Sequence, residues 1–186
     1  ITAMSAHLLQ ARNQTSVVDI SNAAPNVTIR MAPQGFGNSA QVFIRGVGQT
    51  DFKYALEPGV GMYVDDVYYP TLFGTTFDLL DLDRVEILRG PQGTLAGKNS
   101  IGGAIKLYTK KPTGEGGYLQ GTYGSLNRIE VRGAADFTLV PDKLFARVTG
   151  ATKHRDGYID RIDYACSHPN SGLPTDIVGD GCRLGT

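Results

Sequence analysis

The sequence predicts a small α+β domain with a four-stranded sheet over residues 1–112, followed by antiparallel strands of a different kind over residues 113–186. Three observations lead to this division. Short apolar segments separated by Gly and Pro turns fill the first part. Longer segments in which polar and apolar residues alternate strictly fill the second part. Between them, the run Lys110-Lys111-Pro112 marks the change of character.

The elements of the first domain follow from caps and alternation. Ser5 is expected to cap a short helix. A second helix is expected over Val17–Ala23, capped by Thr15 or Ser16, because a hydroxyl accepts hydrogen bonds from the free amides of a first turn. Four strands are predicted over residues 41–45, 59–65, 84–88 and 104–109. Their inward-facing residues are expected to be Val42, Ile44, Val60, Met62, Val64, Val85, Ile87, Ile105 and Leu107.

The second part contains three predicted strands, at residues 118–124, 128–139 and 145–155. In the middle strand one face is charged or polar from Arg128 to Thr138, and the other is apolar from Ile129 to Leu139. This pattern is typical of a transmembrane β-barrel with a wet interior, and also of an ordinary antiparallel sheet with one solvated face. Closing a barrel takes about eight strands, so these three would be only its beginning.

Composition excludes several classes of protein. The 18 basic and 18 acidic side chains cancel, which argues against the basic face that nucleic acid requires. At 41% hydrophobic residues the chain is not typical of disorder, and no apolar run reaches the roughly 18 residues of a spanning helix. Its first residues lack the basic start and apolar run of a signal peptide.

No catalytic motif is present, and an enzyme is not expected. The stretch Gly90–Lys98 lacks the first glycine of a phosphate loop, and the chain has no GxGxxG or GxSxG. Asp65 and Asp66 would point to opposite faces of a strand, which makes them a poor acid/base pair. A further acidic group is interpreted as solvated turn carboxylates, and no catalytic residue, metal site or cofactor is predicted. This group comprises Asp81, Asp83 and Glu86.

Cys166 and Cys182 are the two cysteines, and both lie in a Pro-, Gly- and Asp-rich segment without strand signals. A disulfide formed in an oxidising compartment fits this placement. A metal site that includes His168, or two free thiols, remain the alternatives.

Three segments of the chain resemble the plug signatures of TonB-dependent outer-membrane receptors. Residues 41–47 read QVFIRGV, and residues 59–67 read GVGMYVDDV. Residues 81–95, the most specific of the three, read DLDRVEILRGPQGTL and continue as AGKNSIGGAI. The resemblance covers residues 1–160 and does not include the segment that carries the two cysteines.

The resemblance implies an α+β plug domain over residues 1–112 inside a roughly 22-stranded transmembrane β-barrel. Residues 113–186 would be its first three strands, with an extracellular loop at about residues 156–186 that holds the cysteines. Such a receptor lies in the outer membrane as a monomeric barrel in contact with lipid. Its plug faces the periplasm at the N-terminus, and TonB would grip a segment upstream of Ile1.

The implied function is import of a scarce ligand: a ferric siderophore or similar chelate, cobalamin, haem or an oligosaccharide. Ligand contacts are predicted in the outward plug loops, and a clasp between plug and barrel is predicted through arginines that meet barrel carboxylates. The predicted contacts are Phe36, Asn38, Tyr69 and Phe73, and the clasp residues are Arg45, Arg89 and Glu86.

Two alternatives remain open. The receptor would sense its ligand and signal without import if a signalling extension preceded Ile1. A free-standing periplasmic binding domain would instead require the strands after residue 118 to face water, and their apolar face argues against that.

Overall fold

The computed structural model describes residues 1–32, 39–50, 56–71, 74–75, 79–159 and 162–174. None of the helices within these ranges is long and apolar enough to span a membrane. By its internal contacts the chain divides into two compact units. One unit comprises residues 1–117 and 134–149, and the other comprises residues 118–133 and 150–186.

Strands account for most of the regular structure. In chain order they are β1 (Thr2–Ser5), β2 (Val27–Met31), β3 (Ala40–Ile44), β4 (Val47–Gly48), β5 (Val60–Val64), β6 (Val67–Tyr69), β7 (Leu82–Arg89), β8 (Gly103–Thr109), β9 (Gly117–Gly124), β10 (Arg128–Val140) and β11 (Leu144–His154). The helices are α1 (Ala6–Ala11), a 3₁₀ helix (Val17–Ala23), α2 (Gly93–Ala96) and α3 (Tyr164–Ser167).

The four-stranded sheet predicted for the first domain is wrong. The larger sheet has five strands in the order β1-β7-β8-β5-β6, and β3 lies in a second sheet with the order β2-β3-β4. The reason is pairing: β2 runs antiparallel to β3 with Ile29 opposite Val42, so β3 takes its hydrogen bonds there. The edge strands β1 and β6 have four and three residues, too short for a periodic signal.

The predicted inward faces of the first unit are largely confirmed. All of the expected residues are buried except Val64, which is half-buried and packs against the core. The five-stranded sheet is antiparallel except between β5 and β8, which run parallel with Met62 opposite Ile105. Gly103 begins β8 at φ 144°, where the Cβ of any other residue would collide with the carbonyl oxygen of Leu88.

The helices begin where the caps predict. The Ser5 hydroxyl accepts a hydrogen bond from the amide of Leu8 at 3.4 Å. Ser16 is the N-cap of the second helix, which is a 3₁₀ helix. There the carboxylate of Asp19 accepts hydrogen bonds from the amides of Thr15 and Ser16, at 2.8 Å each. This contact, part of a capping box, stabilises the start of the helix.

A third sheet, in the order β11-β10-β9, has its burial inverted. Along β10 the polar face is the buried one, with Glu130 only 1% exposed and Asp136 9% exposed. The apolar face is open to the surroundings, with exposed fractions between 38% and 61% at Ile129, Val131, Phe137 and Leu139. Both faces were predicted from the alternation, and the structure decides which of them is covered.

Candidate functional site

Two hairpin turns in the first unit hold charged residues in the left-handed region. Arg45 and Gly46 join β3 to β4 with φ of 53° and 82°, and Asp65 and Asp66 join β5 to β6 with φ of 47° and 64°. Two-residue turns with positive φ at both positions match the twist of a hairpin. Each residue other than glycine costs about 1–2 kcal/mol in this region. Contacts elsewhere must offset this strain, which makes both turns candidates for function.

Arg45 and Arg89 are brought to one loop of the plug. The main-chain amide of Arg45 donates to the carbonyl of Asn26 at 2.8 Å, and Nη1 of Arg89 donates to the carbonyl of Pro25 at 3.3 Å. The guanidinium of Arg45 lies against Gly90, whose missing Cβ would be 3.5 Å from Nη1. Within the described residues neither arginine forms an ion pair, and Nε of Arg89 is buried without a hydrogen-bond partner.

Glu86, the third predicted clasp residue, belongs to a different cluster. Its Oε1 accepts a hydrogen bond from Nε of Arg84 at 2.7 Å. The same guanidinium also bonds to Asp83 and stacks 3.8 Å over the ring of Tyr108. Among the described residues, Glu86 therefore pairs with its own strand neighbour, whereas Arg45 and Arg89 gather elsewhere.

Asp65 and Asp66 both reach back to β8. The carboxylate of Asp65 accepts the amide of Thr109 at 2.8 Å and its hydroxyl at 2.7 Å. Asp66 accepts Nζ of Lys106 at 2.8 Å and the Tyr108 hydroxyl at 3.1 Å. The expectation that the two carboxylates point to opposite faces of a strand is wrong, because both residues lie in the turn. They tie the hairpin to the neighbouring strand.

The ammonium of Lys106 holds the pKa of Asp66 below its ordinary value, mainly through their hydrogen bond, with a second hydrogen bond from Tyr108. The same contact raises the pKa of Lys106. Both groups therefore carry their charges at neutral pH.

A buried ionic cluster joins Asp81, Asp136 and Arg147. Nε and Nη2 of Arg147 donate to the two oxygens of Asp81, the latter at 2.6 Å, and Nη1 pairs with Oδ2 of Asp136 at 2.8 Å. The side chains are 9%, 6% and 2% exposed for Arg147, Asp81 and Asp136. Sequence reasoning missed this cluster and interpreted Asp81 as a solvated turn carboxylate. The polar alternation of β10 and β11 indicated two of its members but not their partner 66 positions away.

The family of the chain follows from its first 104 residues, which match the family model described as the TonB-dependent receptor plug domain. The chain belongs to the TonB-dependent receptor plug family. The order of signatures in the sequence and the mixed sheet of the first unit agree with this assignment.

Receptors and transporters, not enzymes, are the relatives of this plug domain. The pesticin receptor of Yersinia pestis is 38% identical over 88% of this chain, which covers 24% of that protein. A vitamin B12 transporter of Vibrio vulnificus is 24% identical over 92% of this chain, covering 27% of its own length. The crystal structure of the ferric yersiniabactin uptake receptor of Yersinia pestis superposes with a TM-score of 0.70 at 28% identity, covering 81% of this chain and 23% of that one. The chain thus spans about a quarter of each relative.

Most of the predicted ligand contacts lie outside the described residues of the plug domain: Phe36, Asn38 and Phe73. Tyr69 ends β6, where it is half-buried and packs against the hydrophobic core. Part of the Tyr69 ring therefore packs against the core, and only the remaining part is exposed. Cys166, in α3, is disulfide-bonded, and its predicted partner Cys182 lies outside the described residues.

Proposed function

We propose that this chain is the plug domain and first strands of an outer-membrane transporter that imports a scarce ligand with energy from TonB. The observation that carries the proposal is the inverted burial of the strands that follow the plug. In β10 the charged face is buried and the apolar face is exposed. A sheet in water buries its apolar face, whereas a transmembrane barrel turns that face to lipid. A plug-family domain followed by such strands fits a gated barrel.

The remainder of the full-length receptor would complete a roughly 22-stranded barrel around the plug. TonB would bind a segment upstream of Ile1, and its pull would shift the plug to open a path. The plug suits this task because part of its surface is held by turns and ion pairs at the edge of its sheets, and such regions open at lower cost than the core.

A ferric chelate of the siderophore class is the proposed ligand. The structure of the ferric yersiniabactin uptake receptor, which superposes with this chain at 28% identity, supports this class. Cobalamin is the main alternative ligand, and haem and oligosaccharides are further alternatives. Phe36, Asn38, Phe73 and the exposed part of Tyr69 are the proposed ligand contacts.

Arg45 and Arg89 are proposed to clasp the plug to the barrel wall. The guanidinium of Arg89 bonds to Pro25 and that of Arg45 lies against Gly90, and neither forms an ion pair among the described residues, so both call for an acidic partner. A guanidinium stays charged when partly buried and can hold a carboxylate through two parallel hydrogen bonds. Glutamates on barrel strands of the full-length receptor would supply those carboxylates, and Glu86 would act indirectly by fixing Arg84.

The double substitution Arg45→Ala and Arg89→Ala tests the clasp in the full-length receptor. We expect faster amide exchange over β3, β7 and β8, while the barrel still assembles, because removing one partner of a buried ion pair costs about 3–5 kcal/mol. The matched control is Arg30→Ala, an exposed arginine at the edge of the same plug sheet as Arg45. Equal exchange in the double variant and the control would mean that both arginines are surface residues.

Signalling without import is the second candidate function. A folded extension upstream of Ile1 in the full-length gene would favour it, whereas a TonB-binding peptide at that place would favour transport.

Uptake in cells tests the proposal directly. The full-length receptor is expressed in a strain that lacks its own siderophore receptors, in tonB-positive and tonB-negative backgrounds. Radiolabelled ferric yersiniabactin and radiolabelled cobalamin are the two probes. Accumulation of the ferric chelate only in the tonB-positive cells supports the proposal. Accumulation of cobalamin instead overturns the ligand class, and surface binding with no TonB-dependent uptake of either probe overturns transport.

A further inference from the structure

The segment between the last plug strand and the first barrel strand is fixed at several points. We refer to this segment, residues 110–117, as the linker. At its start the amide of Lys110 donates to the carbonyl of Asp81 at 3.0 Å. In its middle the hydroxyl of Thr113 donates to Oδ2 of Asp136 at 2.7 Å. Near its end the amide of Asp136 donates to the carbonyl of Gly116 at 2.9 Å. All of these contacts lie within the first compact unit.

Arg147 connects the two aspartates that hold the linker. Asp81 precedes β7 and bonds to Lys110 through its main chain, and Asp136 on β10 bonds to Thr113 through its side chain. The single guanidinium on β11 bonds to both carboxylates. The side chains of all three are at least nine-tenths buried. The start of β7, the linker and the β10–β11 hairpin therefore meet at one cation.

The charges of this cluster do not balance. Two carboxylates and one guanidinium sum to −1, and Oδ1 of Asp136 is buried without a hydrogen-bond partner. Removal of Arg147 would leave two buried carboxylates facing each other, which is the most costly arrangement because like charges repel strongly away from water. Neutralising one aspartate would instead leave a balanced pair.

We propose that Arg147 is the positioning residue that fixes the linker and the root of β7 to the first barrel hairpin. Asp81 and Asp136 hold the linker only because Arg147 binds both of their carboxylates. Without that guanidinium, the linker would no longer be fixed in its observed conformation. The proposal is independent of ligand identity, but its consequence for gating rests on the proposed transport function. It is also separate from the Arg45 and Arg89 clasp, whose residues lie on another loop.

A matched contrast exists on the same strand. Glu130 on β10 is bonded by Arg128 and Arg132, so that cluster sums to +1. All three residues belong to the second compact unit, where the Glu130 carboxylate accepts its bonds from Arg128 and Arg132. Glu130→Gln therefore controls for the general effect of disturbing a buried charge on β10.

Amide exchange at Lys110 and Thr113 in the full-length receptor measures the hold on the linker. We expect Arg147→Gln to speed exchange at both amides by about a hundredfold, and Asp136→Asn to speed it by less than about tenfold. Arg147→Lys keeps the charge but loses the fork of donors, so its effect should lie between these two. Glu130→Gln should leave both amides unchanged.

A neutral triple variant keeps the test decisive if Arg147→Gln fails to assemble. Asp81→Asn, Asp136→Asn and Arg147→Gln together remove the repulsion, and exchange should return to within about tenfold of the natural receptor. A triple variant that exchanges as fast as Arg147→Gln would overturn the proposal. So would unchanged amide exchange at Lys110 and Thr113 in Arg147→Gln.

Surface binding of ferric yersiniabactin is measured in parallel. Loss of binding in every variant and in the natural receptor would count against the proposed function and leave the exchange result standing.

Discussion

The five-stranded plug sheet and the β9–β11 sheet carry the same alternation of side chains but bury opposite faces. In the plug, Val85, Ile87, Ile105 and Leu107 point into a closed core. In β10 the corresponding apolar residues are exposed, and the charged ones are covered. Alternation identifies a strand with two different faces, and the surroundings decide which face is covered. The plug sheet buries its apolar face, as a sheet in water does, whereas the burial of β10 is the pattern that the proposed barrel requires.

Glu130 tests the polar side of this comparison and should give the largest effect. Its side chain is 1% exposed between Arg128 and Arg132, so Glu130→Gln leaves the largely buried guanidinium of Arg132, which is 14% exposed, without its counter-ion. We expect a loss of about 3–5 kcal/mol in the free energy of unfolding, measured by urea titration of the full-length receptor in detergent. Glu57→Gln breaks an exposed ion pair with Lys98 and serves as the control, with little change expected. Equal midpoints for both variants would contradict the buried ionic interior.

Ile105 tests the apolar core of the plug. It is fully buried at the centre of the sheet, so Ile105→Ala should cost about 2–5 kcal/mol through lost burial and a cavity. Ile101→Ala, at a side chain that is 69% exposed, provides the same chemical change without a cavity. Hydrogen exchange of the β7 and β8 amides reports on the plug alone. If the two substitutions had the same effect, the core would not depend on Ile105.

Val148 and Thr149 are neighbours on β11 that point to opposite faces, and together they test lipid exposure. Val148→Arg should impair assembly by about 2–4 kcal/mol, because it places a charge against hydrocarbon. Thr149→Arg, toward the polar side, should assemble normally. The measurement is the fraction of heat-modifiable folded receptor in outer-membrane preparations. Equal assembly of the two variants would indicate a sheet that lies in water.

Asp66 should have the smallest effect, and pH reveals it. Its folded-state pKa lies below the ordinary value of 3.8, mainly because Lys106 donates a hydrogen bond to it. A group with a lowered folded pKa contributes stability above its unfolded pKa, and that contribution is lost as the pH falls through the folded value. Asp66→Asn should therefore lower the plug's stability slightly at pH 7, and the difference between the two proteins should disappear as the pH falls below about 4. Parallel curves for both proteins would contradict the assigned role.

Local sequence patterns predicted much of the fold. The inward faces of β3, β5, β7 and β8, the caps at Ser5 and Ser16, and the long strands β10 and β11 all lie where alternation and capping placed them. These features depend on neighbours within a few positions, which a sequence displays directly. The division into two plug sheets could not be predicted from local patterns, because strand pairing joins residues that are far apart in the sequence. Edge strands as short as β1 also carry no detectable periodicity.

The candidate site divides in the same way. Arg45 and Arg89 stood out in their Gly-flanked signatures, and the structure brings both to residues 25–26. The cluster at Arg147 was invisible, although each member was noted for its charge or its place on the polar face. Its bonds span 66 positions to Asp81, and a charged side chain in a sequence looks the same whether solvated or buried.

By itself, the sequence determined the two kinds of alternation, the order of the plug signatures and hence the membership of the plug family. These follow from local chemistry: the period of a strand, the hydroxyl of a cap, and glycines where the chain turns sharply. Only the tertiary structure decided that β3 joins a separate sheet, that the charged face of β10 is the covered one, and that Arg147 ties Asp81 to Asp136. Burial and long-range pairing arise when distant segments exclude water together, and no single segment carries that information.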